Sequence, residues 1–416
     1  SSNPGDDTMR FLSILSLTLA LTTVALAGDW PQWRGPTGDG RSDEKAFPTT
    51  WSDTENVKWK VPLPGAGNST PVVWKDKVIL TASTGREHTT LHVLCYDRAT
   101  GRRQWDTTFF ASLAPAPFSQ FPPERGHAAP SAATDGKVVV ALFGSGDLVG
   151  LDLDGRLKWF RSLATEYGPF RNEYGVSSSP VLHDRTAFVQ IDHDAESYLL
   201  AVDAATGKTR WRTKRAAEDG WATPLVVDVG GKPQVVCLGT KKAIFYDAAS
   251  GKEVWTLDGF ERLCSVTPLV RDNVLYATSG PRGEVVAIDL STASEDKTPK
   301  VLWRSKKIGP FIPSPVLVGK SLLVPDDQGT VTCLDAATGK ELWKERAGGR
   351  ARPSPVVAGD VVYLTGLDGT TTVFKAGAEF EPVGKNKLGE EVAASPALAH
   401  GCLFIRGDKH LWCIGK

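Results

Sequence analysis

A tryptophan recurs along this chain at a spacing that constrains the fold more than any other feature. Trp59, Trp105, Trp159, Trp211, Trp255, Trp303 and Trp343 lie 40 to 54 residues apart. Ahead of most of them stands an aspartate that opens a glycine turn: Asp97 to Gly101, Asp203 to Gly207, Asp247 to Gly251 and Asp335 to Gly339. A shorter version runs from Asp152 to Gly155, and a stretched one from Asp289 to Trp303. A second marker keeps the same order: Pro71, Pro130, Pro180, Pro224, Pro268, Pro315, Pro355 and Pro396, each close to a small or hydroxyl residue and ahead of an apolar stretch. Together the markers divide the chain into eight units of about 45 residues, the length of a propeller blade.

Each unit reads as four short strands separated by Gly and Asp turns. In the sixth, the strands begin near Ser314, Ser321, Thr330 and Glu341. The proline suits an innermost strand, whose edge faces the channel and needs no N–H there. The aspartate accepts backbone N–H groups while the glycine supplies a positive φ, so the Asp turns are structural. The tryptophans read as wedges between neighbouring blades. The last unit holds three strands, near 395–398, 403–406 and 410–414, whereas Asn56 to Lys60 has the pattern of a fourth strand and precedes the first proline marker. The expectation is an all-β, eight-bladed propeller whose N-terminal strand completes the last blade, leaving no long open edge. In the seventh blade, Phe380 is expected to take the tryptophan place.

Composition agrees and narrows the function. The chain has 416 residues, 41 of them Gly and 13 Trp, with a single Met, which favours many short strands over helices. Lys plus Arg and Asp plus Glu are 48 each, so no basic surface is available for tracking phosphates, and a nucleic-acid role is excluded. Met9-Arg10, an apolar run to Ala27 and the small residues Ala25 and Ala27 match a secretory signal cleaved after Ala27. Residues 1–8 precede the only Met and read as spurious to the natural start. Asp29 stands where a lipid-bearing Cys would be, so the expected product is periplasmic or secreted, not lipidated, and without a membrane span once the signal is removed. The domain reading is therefore signal peptide 1–27, leader 28–54 and propeller 55–416. The six cysteines, at 95, 237, 264, 333, 402 and 413, form no C-x-x-C pair, which argues against zinc and favours buried free thiols. Cys402 and Cys413 flank Gly407-Asp408 symmetrically and would face each other if that turn has two residues.

These residues resemble the pyrroloquinoline-quinone (PQQ)-like propeller repeat family, through Cys95-Tyr96-Asp97 to Trp105, Val202-Asp203 to Trp211, Tyr246-Asp247 to Trp255 and Leu334-Asp335 to Trp343. The segment Asp29 to Pro36, followed by Gly38-Asp39-Gly40, is similar to the leader of its exported bacterial members. The resemblance implies an eight-bladed propeller of one of two kinds. One is a non-catalytic scaffold, as in the BamB-like outer-membrane assembly proteins. The other is a quinoprotein dehydrogenase of alcohols or sugars with PQQ and Ca²⁺. The large dehydrogenases carry a vicinal Cys pair over the quinone and a carboxylate–Asn–Asp set for the ion, neither of which can be placed here.

In such a ring the connections from fourth to first strand, and from second to third, share one face. The first set brings His127, Asn172, Glu173, Tyr174, Asp219, Trp221, Glu261, Arg262, Phe311, Arg350, Arg352, Glu390 and Glu391 to the channel mouth. Charged and aromatic groups in a concave ring suit a polar ligand or a protein partner, the alternative being a solvated funnel of internal ion pairs. The expected partner is a protein of the cell envelope or a small polar ligand, with no cofactor and no metal. On the dehydrogenase reading, PQQ would stack on Trp221, with Arg262, Arg350 or Arg352 neutralising its carboxylates. Two further features stand out. A connection of about 24 residues between Trp105 and Pro130 is rich in Phe and Pro, as lids and partner loops are. The run Asp192 to Glu196 carries acids at cation-binding density but lacks the glycine and terminal Glu of a calcium loop.

Overall fold

The computed structural model describes residues 28–113, 126–170, 175–261, 263–294, 298–305 and 307–416. The signal segment 1–27, most of the Phe/Pro connection, and residues Asn172, Glu173, Tyr174 and Arg262 lie outside them. The described chain forms eight antiparallel sheets that follow one another in sequence, each with four blade strands. Blade I comprises Val72–Trp74, Lys77–Thr84, Thr90–Asp97 and Arg103–Phe110. Blades II to VII repeat the pattern, beginning at Ala133, Val181, Leu225, Leu269, Val316 and Val356. Blade VIII contains Ala397–Ala399, Cys402–Arg406 and His410–Ile414, and Val57–Pro62 joins it as the fourth strand, with Trp59 opposite Cys413. The ring is thus closed by the N-terminal strand.

The repeated residues explain how blades lock. Asp97 Oδ1 accepts Thr100 N at 2.8 Å and Thr100 Oγ1 at 2.7 Å, and Asp335 does the same with Thr338. These bonds hold both carboxyls below the usual range, the Thr hydroxyl being the largest cause. The glycine closing such a turn lies under the tryptophan of the preceding blade: a methyl on Gly207, at φ 70°, would come within 2.5 Å of the Trp159 ring. The same indole donates Nε1–H to Ala204 O at 2.8 Å. Trp59, Trp105, Trp211, Trp303 and Trp343 donate equivalently to the next blade, at 2.9 to 3.1 Å. Trp255 is the exception, because the stretched turn after Asp289 presents it with no acceptor.

A second belt runs round the channel. Hydroxyls beside the proline markers accept the backbone N–H of the preceding blade: Thr70 to Ser131, Ser131 to Ser179, Ser179 to Thr223, Thr267 to Ser314, Ser314 to Ser354 and Ser354 to Ser395, at 2.8 to 3.1 Å. Blade II departs from the sequence reading. The strand register makes Ser131 the equivalent of Thr70, so the place of Pro71 is filled by Ala132 and Pro130 falls two residues early. The hydroxyl, rather than the proline, is the constant part of the marker.

Two more expectations need correction. In blade VII the tryptophan position in the register is Gly384, opposite Val373, and Phe380 begins the strand four residues earlier. The vacant wedge is filled from the leader. Trp51 stacks on Tyr363 at 6.3 Å, the same second-strand position from which Phe404, Phe188 and Tyr276 meet Trp59, Trp211 and Trp303. Asn386 clamps the segment, accepting Trp51 N and donating to Thr49 O, both at 2.9 Å. In blade VIII, Arg406 pairs with Leu411 and Phe404 with Cys413, so the turn is longer than two residues; Cys413 stands diagonally across from Cys402 rather than directly opposite, and the two thiols meet within hydrogen-bonding reach. All six cysteines are buried free thiols.

Candidate functional site

The connections from second to third strand and from fourth to first strand do meet on one face, joined by the bridges Ala66↔Ser83 in blade I and Asp192↔Gly220 at the III–IV seam. The first strands lead from this mouth to the opposite face, and their hydroxyl belt lines the channel. The opposite end is stopped by the leader, which reaches every blade. Trp30 exchanges backbone bonds with Val73, Pro31 O accepts Thr134 N, and Gln32 Oε1 accepts Leu182 N. Gly38 abuts Leu225, Trp33 donates to Thr267 Oγ1 at 2.8 Å, and the buried Arg34 donates to Pro315 O at 2.6 Å. Arg41–Ser42 then pairs in parallel with Val357 and Ala358, and Gly28 O accepts His400 N. Desolvation pulls the Arg34 guanidinium down to about 10, against the attraction of Asp39. The sequence does not announce this plug, because Gly, Pro and Trp without alternation form no recognisable element.

The candidate residues divide into buried structural groups and an exposed rim. Glu390 is buried. Its Oε1 accepts Trp412 Nε1–H at 2.5 Å and lies 3.1 Å from His410 Nδ1, and its Oε2 accepts Lys409 N at 2.7 Å. Trp221 is buried and donates its indole N–H to Gly175 O at 2.7 Å. Asp219 is buried beside it. Phe311 is half-buried, its backbone N–H held by Asp327. Arg352 is half-buried, whereas Glu261, Arg350 and Glu391 are exposed. Asp192 is spent on a buried ion pair: Arg215 Nε and Nη2 reach its two oxygens at 2.8 and 3.1 Å, and Gln190 adds a third bond. Glu196 pairs with Arg212 and Lys214, so the acidic run is divided between two ion-pair networks.

His127, a candidate mouth residue, is buried at the seam of blades I and II. Its backbone N–H bonds Ser83 Oγ, but its Nε2 has no partner. Burial lowers its pKa, the charge of His88 lowers it further, and Asp147 opposes both. Asp147 is itself buried, with Oδ2 accepting Ser145 Oγ and Ser112 N, and Oδ1 unpartnered. The two ends of the Phe/Pro connection are therefore fastened here, Ser112 on Asp147 and His127 on Ser83. His88 and Asp147 carried no motif in the sequence. Only the packing of two blades brings them together.

With this geometry in view, the sequence profile of the family described as outer membrane protein assembly factor BamB matches residues 49–214, 195–296 and 292–378. The chain belongs to this family of PQQ-like propellers. Among solved structures, BamB from Moraxella catarrhalis shares 17% identity at a TM-score of 0.65, covering 86% of this chain and 97% of that one. Quinohemoprotein alcohol dehydrogenase from Comamonas testosteroni shares 13% at 0.69, covering 94% and 81%. The computationally designed Ika8 protein shares 13% at 0.59, covering 85% and 98%. At these identities the likeness is one of fold. No curated protein matches the sequence.

The dehydrogenase fold-mates raise the question of a quinone and its ion. Among the described residues no three His, Cys, Asp or Glu side chains gather as a metal site requires. Trp221, proposed as the stacking plate, is turned into the III–IV seam with its N–H engaged. The described mouth residues do not fit a PQQ–Ca²⁺ pair.

Proposed function

We propose that this protein is an exported, non-catalytic propeller scaffold that binds a protein or small polar ligand of the cell envelope at its channel mouth. The observation that carries this reading is the allocation of charge there. The carboxylates of Glu390 and Asp192 are held by internal partners, while Glu261 and Arg350 stand on exposed loop rims. Internally held groups keep the ring rigid, and rim charges select partners by complementarity and speed their encounter. Membership in the BamB family supports a protein partner, and the leader in the channel directs binding to the mouth. No helix among the described residues is long and apolar enough to cross a membrane.

The test uses protein beginning at Gly28, immobilised and exposed to solubilised envelope, beside the double charge reversal Arg350→Glu, Glu391→Lys. A partner recovered by the native mouth and lost with the reversal supports the proposal. Equal recovery by both proteins removes the mouth from the mechanism. Titration with PQQ and Ca²⁺, followed by absorbance and a dye-linked alcohol assay, should show no spectral change and no turnover. Turnover would replace the scaffold reading with the dehydrogenase one.

A further inference from the structure

The first described residues sit in a niche built by two carboxylates, Asp29 and Glu44, and the His400 imidazole. Gly28 lies where the leader meets the first turn of blade VIII, and its carbonyl accepts His400 N at 3.2 Å. Glu44 closes over the same turn, with Oε1 accepting His400 N at 2.8 Å and Oε2 accepting Gly401 N at 2.9 Å. A methyl placed on Gly28 would come within 2.8 Å of Glu44 Oε1. The same methyl would come within 3.0 Å of His400 Nδ1, so Gly28 is packed against both the Glu44 carboxylate and the His400 ring. Asp29 follows, with its side chain only 4% exposed. Its Oδ1 accepts Lys75 N at 2.8 Å and lies 2.9 Å from His400 Nε2, while its buried Oδ2 has no partner. A buried carboxylate oxygen left unpaired is costly, and such sites normally hold a donor.

We propose that hydrolysis of the peptide bond ahead of Gly28 creates an α-ammonium that docks on the Asp29 and Glu44 carboxylates and completes the clasp closing the ring. This rests on the exported reading, since the small residues Ala25 and Ala27 are what a signal peptidase cuts behind. Water adds across the Ala27–Gly28 amide. Ala27 leaves with a carboxylate, and the Gly28 nitrogen takes the proton to become an ammonium. An uncut chain offers one neutral N–H at this place, whereas the ammonium offers three donors and a unit charge to two carboxylates. The clasp matters for the whole ring, because residues 28–44 are pinned to blade VIII at this end and run from it across every other blade. Maturation and final locking of the fold would then be one event.

The experiment compares melting temperatures of three forms of the same protein: one released by a site-specific protease to begin at Gly28, one with Ala25-Leu26-Ala27 retained ahead of it, and one acetylated at Gly28. The free terminus should melt about 1–2 °C higher than both others, a shift scaled to the large unfolding entropy of a chain this long. In the Glu44→Gln and Asp29→Asn backgrounds that gap should close. Equal melting of all three native-sequence forms, or an undiminished gap in both variants, overturns the docking. If the variants fail to fold, the acetylated form still reads the charge alone. In cells expressing the full chain, the exported protein should begin at Gly28. Another first residue overturns the maturation step but leaves the mouth-binding reading standing, and retention in the cytoplasm with residues 1–27 attached overturns both.

Discussion

His127 shows how a residue acquires a property that its sequence neighbourhood does not contain. It lies in a Gly-His-Ala-Ala stretch with no acid beside it, yet in the fold it is buried against His88 from the blade I turn and Asp147 from blade II. Burial and the like charge of His88 outweigh Asp147, so its pKa is lowered on folding. The unfolded chain then binds more protons than the folded one below about pH 6.5, and stability falls as pH drops through that range. The loss ends once pH is below the folded value. We expect the urea midpoint to decline on acidification from about pH 7 to 5, and His127→Asn to flatten that decline. A variant with an unchanged slope would assign the proton to another group. The turn aspartates act in a separate window. Their lowered values mean that their contribution is present above about pH 4 and is lost as pH falls further.

The blade is the unit in which the repeat does its packing, and the tryptophan is its joint. The indole contributes twice: its rings cover the glycine of the next turn, and its N–H reaches a carbonyl there. Trp211 has both, donating to Ala248 O at 3.1 Å over Gly251, whereas Trp255 has the burial but no acceptor. Phenylalanine keeps most of the apolar area and removes the N–H. Trp211→Phe should therefore destabilise the protein by about 1 kcal/mol more than Trp255→Phe, since only the first leaves a carbonyl unpaired. Urea midpoints at a common m-value check this. The elements were legible because their markers are local: Asp, Thr and Gly within five residues define a turn, and alternation defines a strand. The blade VII assignment failed for the complementary reason. Phe380 fits the local pattern, but the longer strand Thr370–Ala376 shifts the register and places Gly384 at the joint.

At the scale of the molecule, the ring depends on segments that are distant in sequence. Val57–Pro62 covers the edge of His410–Ile414 across the whole chain length, and Leu63 N adds a bond to Lys409 O. Removing residues through Pro62 takes away that strand, the Trp51 and Trp59 wedges and the plug. The edge of His410–Ile414 is then bare, and an unpaired hydrophobic strand pairs with other chains. Such a truncation should lose cooperative unfolding and elute as oligomers in light-scattering chromatography, while a chain beginning at Gly28 stays monodisperse. A monomeric, cooperatively folded truncation would show that the six remaining joints suffice.

The sequence by itself determined the blade count, the closing strand and the structural nature of the Asp turns, because each is written in contacts between residues near one another or in a pattern that repeats. It also placed the loops that meet at the mouth. What those loops present was decided by the tertiary structure alone. Burial turned Glu390, Asp192 and Trp221 inward onto internal partners, brought His88 and Asp147 to His127, and drew Trp51 into the eighth wedge. A side chain's role at a site depends on which partners long-range packing delivers and how much water it removes. The repeat encodes the ring but not those deliveries.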